Sequence, residues 1–171
     1  MSFARILLTL PDIVLDRKEV MLDQSAPDFS LPATGSQTLT LSALRGALVV
    51  LYFYPKDNTP GCTTETQDFR DLHPQFAALG CRIVGISRDS VKSHENFKAK
   101  LGLPFDLVSD ADEVACSLYG VIKMKNMYGK QVRGIERSTF VIDAAGVVRR
   151  EVRGVKVPGH AQAMLEAVQT L

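Results

Sequence analysis

The run Ala47–Tyr54, "ALVVLYFY", constrains this chain more than any other stretch. It has no polar face, so as a strand it needs cover on both sides, which points to the centre of a sheet with helices packed on it. The run has the length of a strand rather than of a membrane span, and nothing elsewhere approaches the latter.

Around it, strand-like and helix-like segments alternate from Ala26 onward. "APDFSLPATG" is an extended, proline-punctuated lead-in, and "QTLTLSAL" (37–44) alternates like an edge strand. Phe69, Leu72, Phe76 and Leu79 have helical spacing in a segment 63–79 that stops at Gly80, with Pro74 a possible kink. "RIVGIS" (82–87) is a second buried strand, completing a strand-helix-strand unit. Ser90 caps a helix ending at Gly102, residues 104–110 read as a short strand, and Asp110 caps a short helix through Tyr119. Residues 121–136 are a strand or loop excursion, 138–152 a hairpin turning at Ala144–Gly146, and Gly159–Leu171 a final helix. The expected fold class is α/β, a mixed central sheet flanked by helices, in one domain over 26–171.

Residues 1–25 are read as an N-terminal extension. "FARILLTLPDIVL" (3–15) is apolar, but Arg5, Pro11 and Asp12 interrupt it and no small-residue cleavage site follows. A short helix or an extension packed on the domain is expected, with Met21 an alternative native start. The 20 basic and 19 acidic residues are intermixed, which favours neither nucleic acid nor a membrane as partner. Three cysteines without staple-like spacing point to a reducing compartment, hence the cytoplasm.

Directly after the central run comes "PKDNTPGCTTET" (55–66), a proline-bounded turn holding one cysteine at the expected start of a helix. Helix N-termini carry partial positive charge and unpaired N–H groups, which favour a thiolate; a free cysteine, with a pKa of about 8.5, is otherwise mostly thiol at neutral pH. Pro55 and Pro60 fix the turn, Thr59 can aim a hydroxyl near the sulfur, and Gly61 lets the backbone pass close to whatever is attacked. The bland alternative, a small buried hydrophobe, fits poorly among Thr59, Gly61, Thr63 and Thr64.

The string "PKDNTPGC" resembles the P-x-x-x-T-x-x-C signature of peroxiredoxins, thiol peroxidases of the thioredoxin-like fold. With "YFYPKDNTPGCTTE", "GISRDSVKSHENF", "LVSDADEVAC", "KNMYGKQVRGIERSTFVID" and "VKVPGHA", the chain from about Ala26 to its end resembles the bacterioferritin-comigratory, or peroxiredoxin Q, group. The resemblance implies that Cys62 is the peroxidatic cysteine, Thr59 its hydroxyl partner, Pro55 the shield of the pocket and Arg137 the active-site arginine. It implies reduction of hydrogen peroxide and organic hydroperoxides through a sulfenic acid, in a monomer, with no metal or organic cofactor. Without the motif, Arg137 reads as a solvated charge; Arg88 and Lys56 keep that reading. The role of Glu65 stays open between capping the helix start and assisting through water.

Many members of the group carry a resolving cysteine five residues after the first or on the following helix, where this chain has Gln67 and Lys98. Cys81 would lie roughly 28 Å from Cys62 along one helix, beyond the reach of about 7 Å for a disulfide. Cys116 reads as a buried structural thiol. The expectation is a one-cysteine cycle in which thioredoxin, or glutaredoxin with glutathione, supplies the resolving thiol. The alternatives are a two-cysteine cycle with Cys116 resolving and a non-catalytic thiol redox sensor. A dithiol oxidoreductase lacks its C-x-x-C, and His73, His94 and His160 lack metal-ligand spacing and read as scattered surface residues.

Overall fold

The computed structural model describes residues 21–171, so the reading of residues 1–20 lies outside the described residues. Its main sheet has seven strands: β1 (Ser30–Ala33), β2 (Gln37–Thr40), β3 (Leu48–Phe53), β4 (Cys81–Ser87), β5 (Asp106–Ser109), β8 (Ser138–Ile142) and β9 (Val148–Arg153). The spatial order is β2-β1-β5-β4-β3-β8-β9. The centre β5-β4-β3 is parallel, and the flanking pairs β1-β5, β1-β2, β3-β8 and β8-β9 are antiparallel. This is the expected mixed sheet. Each parallel connection needs a crossover, supplied by α1 (Pro60–Ala78) between β3 and β4 and α2 (Val91–Leu101) between β4 and β5.

The central run is buried as its composition requires, and its alternation sorts the core into two layers. Val49, Leu51 and Phe53 face one cluster with Phe29, Ala115, Cys116, Tyr119 and Phe140. Val50, Tyr52 and Tyr54 face the other, with Cys62, Phe69, Phe76, Phe97, Met164 and Leu165 from α1, α2 and α4 (His160–Gln169). The second layer is tight: a Cβ on Gly85 would meet the Tyr52 ring and Leu107 at 2.8 Å, so only glycine lets Tyr52 lie over β4.

Local signals explain most element ends. The Ser90 hydroxyl accepts from the Ser93 N–H, and α2 closes at Gly102 in the left-handed region, φ 62°. Asp110 accepts from the N–H groups of Val114 and Cys116, each at 2.7 Å, holding the first turn of α3 (Val114–Leu118). Two segments differ from expectation, and a third, read as strand or loop, is strand. The lead-in contributes a true strand, β1, despite Pro32, and β2 stops at Thr40, after which Leu41–Leu44 form a 3-10 turn. Residues 122–135 form a separate hairpin, β6 (Ile122–Met127) and β7 (Lys130–Ile135), whose Tyr128 and Gly129 have φ 52° and 77°, the signature of a type I′ turn.

Residues just before β1 also pack on the fold. The Met21 N–H donates to Glu151 at 2.8 Å and the Asp23 N–H to the Val148 carbonyl at 2.8 Å.

Candidate active site

The turn between β3 and α1 is where the sheet delivers its chemistry. Pro55, half-buried, follows Tyr54 at the carboxyl end of β3; Asn58 takes φ 60°; and Thr59, extended at φ −88° and ψ 152°, is the N-cap residue of α1. Pro60 opens the helix where its missing N–H costs nothing. The first helical bond runs from the Thr63 N–H to the Thr59 carbonyl at 2.9 Å, so the N–H groups of Gly61 and Cys62 lie ahead of the intrahelical ladder. Cys62 is 1% exposed in this first turn.

Arg137, in the link from β7 to β8, reaches the same point: its Nη2 lies 3.5 Å from Cys62 Sγ. Gly61 makes room, because a Cβ there would stand 3.1 Å from that nitrogen. The other fork of the guanidinium, Nη1, donates to Glu65 Oε1 at 3.0 Å. Burial works against the charge of Arg137, but Glu65 and Cys62 together hold it firmly protonated. Arg137 is therefore no solvated charge; it bridges a sulfur and a carboxyl. The Thr59 hydroxyl donates to the Lys56 carbonyl at 2.7 Å, leaving its oxygen lone pairs as the group it can offer.

Glu65 sits three residues after Cys62, on the same helix face, and is 1% exposed. It caps no N–H: Oε1 meets Arg137, and the buried Oε2 has no hydrogen-bond partner among the described residues. Burial raises its carboxyl to about 7, against the lowering pull of Arg137.

A second buried cluster holds the turn from below. Asp57 receives hydrogen bonds from the Tyr54 hydroxyl (2.7 Å), the Ser93 hydroxyl (2.8 Å) and His94 Nδ1 (2.8 Å). His94 Nε2 faces the Val108 carbonyl at 2.9 Å. Both ring nitrogens therefore face oxygen acceptors. Burial acts to raise Asp57, but the bonds from His94 and Tyr54, with the His94 charge, hold the carboxyl below its usual range. The Asp57 N–H also donates to Asp89 at 3.0 Å.

The histidine expectation is corrected here. His94 is fully buried and His160 nearly so, with its Nε2 2.7 Å from the Thr139 hydroxyl and burial lowering it to about 4. One atom each of Asp57, Asp89 and His94 lies within 4.8 Å of the others, a spacing compatible with a metal, yet their donor atoms are engaged in these hydrogen bonds. Arg88 is also more than a solubility charge, donating to Glu113 at 3.2 Å.

The three thiols are unpaired and buried. Cys62 and Cys116 belong to clusters on opposite faces of the sheet. Cys81 begins β4, beyond the far end of α1, and burial pushes its thiol up to about 12. Burial likewise pushes the Cys116 thiol up, with Asp110 adding to it.

Comparison with known proteins places this geometry. Residues 22–151 match the AhpC/TSA family. The chain is 55% identical to Peroxiredoxin Bcp of Xanthomonas campestris pv. campestris, covering 88% of this chain and 96% of that one. It is 47% identical to Peroxiredoxin Bcp of Bacillus subtilis, covering 89% and 95%. The solved structure of the Xanthomonas bacterioferritin comigratory protein, described for its alkyl peroxide reduction activity, superposes with a TM-score of 0.80 over 83% of this chain and 90% of that one. Two further structures of the Xanthomonas protein are serine variants at two different cysteines, 36 residues apart.

Proposed function

The chain belongs to the AhpC/TSA family and is a peroxiredoxin, a thiol peroxidase of thioredoxin-like fold, and from that premise we propose that Cys62 is its peroxidatic residue. The observation that carries the assignment is the Arg137 guanidinium 3.5 Å from the sulfur at the first turn of α1. Guanidinium and helix terminus together favour the thiolate. Its lone pair attacks one peroxide oxygen, the O–O bond breaks, and the other oxygen leaves as hydroxide or alkoxide and takes up a proton. Cys62 is left as a sulfenic acid. Arg137 and the N–H groups of Gly61 and Cys62 stabilise charge as it moves between the oxygens, and the Thr59 oxygen accepts from the peroxide O–H. Pro55 shields the pocket. Hydrogen peroxide and organic hydroperoxides are the proposed substrates.

The cycle uses one cysteine. An external thiol attacks the sulfenic sulfur, releasing water and forming a mixed disulfide, and a second thiol frees Cys62. Thioredoxin, or glutaredoxin with glutathione, fits this role. Three observations support external resolution: Lys98 stands 36 residues beyond Cys62 and pairs with Asp106 at 2.8 Å, Gln67 occupies the nearer resolving position, and the sheet lies between Cys62 and Cys116. We place the working protein in the cytoplasm as a monomer, with residues 26–171 as its domain.

Intact mass after one equivalent of hydrogen peroxide, with a sulfenic-acid trap and a count of free thiols, tests the scheme. The expected product carries one adduct at Cys62 with two thiols free, and Cys62→Ser abolishes turnover. Loss of two thiols with a Cys62–Cys116 peptide overturns the one-cysteine cycle, and a single oxidation without recycling by any thiol reductant would make the protein a sensor.

A further inference from the structure

Glu65 is an ionisable group in contact with Arg137 that the proposed reaction leaves without a task, and its surroundings are unusual for a structural ion pair. Its partner Arg137 divides its two terminal nitrogens between the Glu65 carboxyl and the Cys62 sulfur. The second carboxyl oxygen is buried with no partner among the described residues, so the ionised form is only half solvated by them. Resting on the assignment of Cys62 as the reacting thiol, we propose that Glu65 is a positioning residue whose own proton governs how much of the Arg137 charge reaches the sulfur.

When the carboxyl is neutral, one cation faces one incipient anion and Arg137 serves Cys62. When it is ionised, two anions share that cation, and the second anion opposes the thiolate. The groups facing this pair reinforce the coupling. From α1, Asp68 adds negative charge that disfavours an ionised Glu65. From β3, Tyr52 stays neutral, its hydroxyl buried against Thr66 at 3.0 Å. From α4, His160 is held neutral by burial and by Arg137, so it adds no competing cation. Glu65, raised to about 7, is thus a carboxyl in this cluster that changes charge near neutrality.

The test is the rate of Cys62 oxidation by hydrogen peroxide in the full chain, read by acid quench and mass spectrometry between about pH 5 and 9. The wild-type profile is expected to show two coupled steps. Glu65→Gln keeps an oxygen toward Arg137, collapses the profile to one step, and raises the rate above neutral pH by up to about tenfold, the worth of one unit of titration. An unchanged profile in Glu65→Gln overturns the proposal. So does a uniform loss at every pH equal to that of an Arg137 variant, which would make Glu65 a mere prop. If the variant does not fold, infrared spectroscopy of wild type decides: a neutral carboxylic-acid band that fades through about pH 7 and shifts in Cys62→Ser supports the coupling, and its absence refutes it. Failure of the peroxidase assignment itself is distinct, because Cys62→Ser would then retain turnover.

Discussion

The Asp57–His94 pair and the Glu65–Arg137 pair lie on either side of one turn, both buried, both an acid with a base, and they are built to opposite standards. Asp57 takes three side-chain donors, and His94 uses both ring nitrogens. Glu65 takes one cation and, among the described residues, leaves an oxygen bare. The consequence is visible in protonation: burial raises Glu65 to about 7, whereas the same penalty at Asp57 is outweighed by its hydrogen bonds. A fully satisfied pair holds structure, and a half-satisfied one remains responsive. The first ties the turn to α2, and the second faces the sulfur.

The contrast breaks first at Asp57. Asp57→Asn removes the carboxylate that Tyr54, Ser93 and His94 all meet, and a broken buried pair costs about 3–5 kcal/mol, read by urea or thermal unfolding. Peroxide reactivity per folded molecule should change little by comparison. Arg137→Met should invert that pattern, because Glu65 can turn neutral when its cation is removed. We expect a rate loss of about 10²–10³ in Cys62 oxidation, as for removal of one donor from a charge-stabilising site, with a smaller loss of stability.

The pH dependence of stability sharpens the comparison, since the two carboxyls have opposite signs. Asp57, depressed when folded, contributes stability that is present above its unfolded value near 3.8 and lost as pH falls below it. Glu65, raised when folded, contributes stability that is full below 4.5 and lost as pH rises through about 7, on the order of 3 kcal/mol. Glu65→Gln should flatten the decline toward neutral pH, and Asp57→Asn should remove part of the acid limb. The smallest effect belongs to Cys116→Ser, for which turnover with an external thiol should be unchanged.

Much of this was legible in the residues. The central run, the crossover helices and the turn with Cys62 followed from local pattern, because a strand without a polar face and a proline-bracketed turn each restrict the chain on their own. The β6-β7 hairpin was ambiguous because alternating Lys123, Met124 and Lys125 bury little, and β1 was hidden by Pro32. The site divides the same way. Cys62 and Thr59 are set by the turn, but the role of Glu65 stayed open in the residues because its bond to Arg137 joins positions 72 apart. His94 carried no local signal at all. Its burial depends on α2 docking over β5, a tertiary event that helical spacing does not announce.

The sheet between the two clusters has a consequence for how oxidation would look at the bench. On the proposed one-cysteine cycle, Cys62, with Cys116 behind a wall of backbone and Cys81 at the far end of a 19-residue helix, closes no internal loop. The oxidised chain would keep the hydrodynamic outline of the reduced one. On a non-reducing gel it would run as the unshifted band or as a heavier adduct with the thiol that captured it, never as a faster, cross-linked monomer.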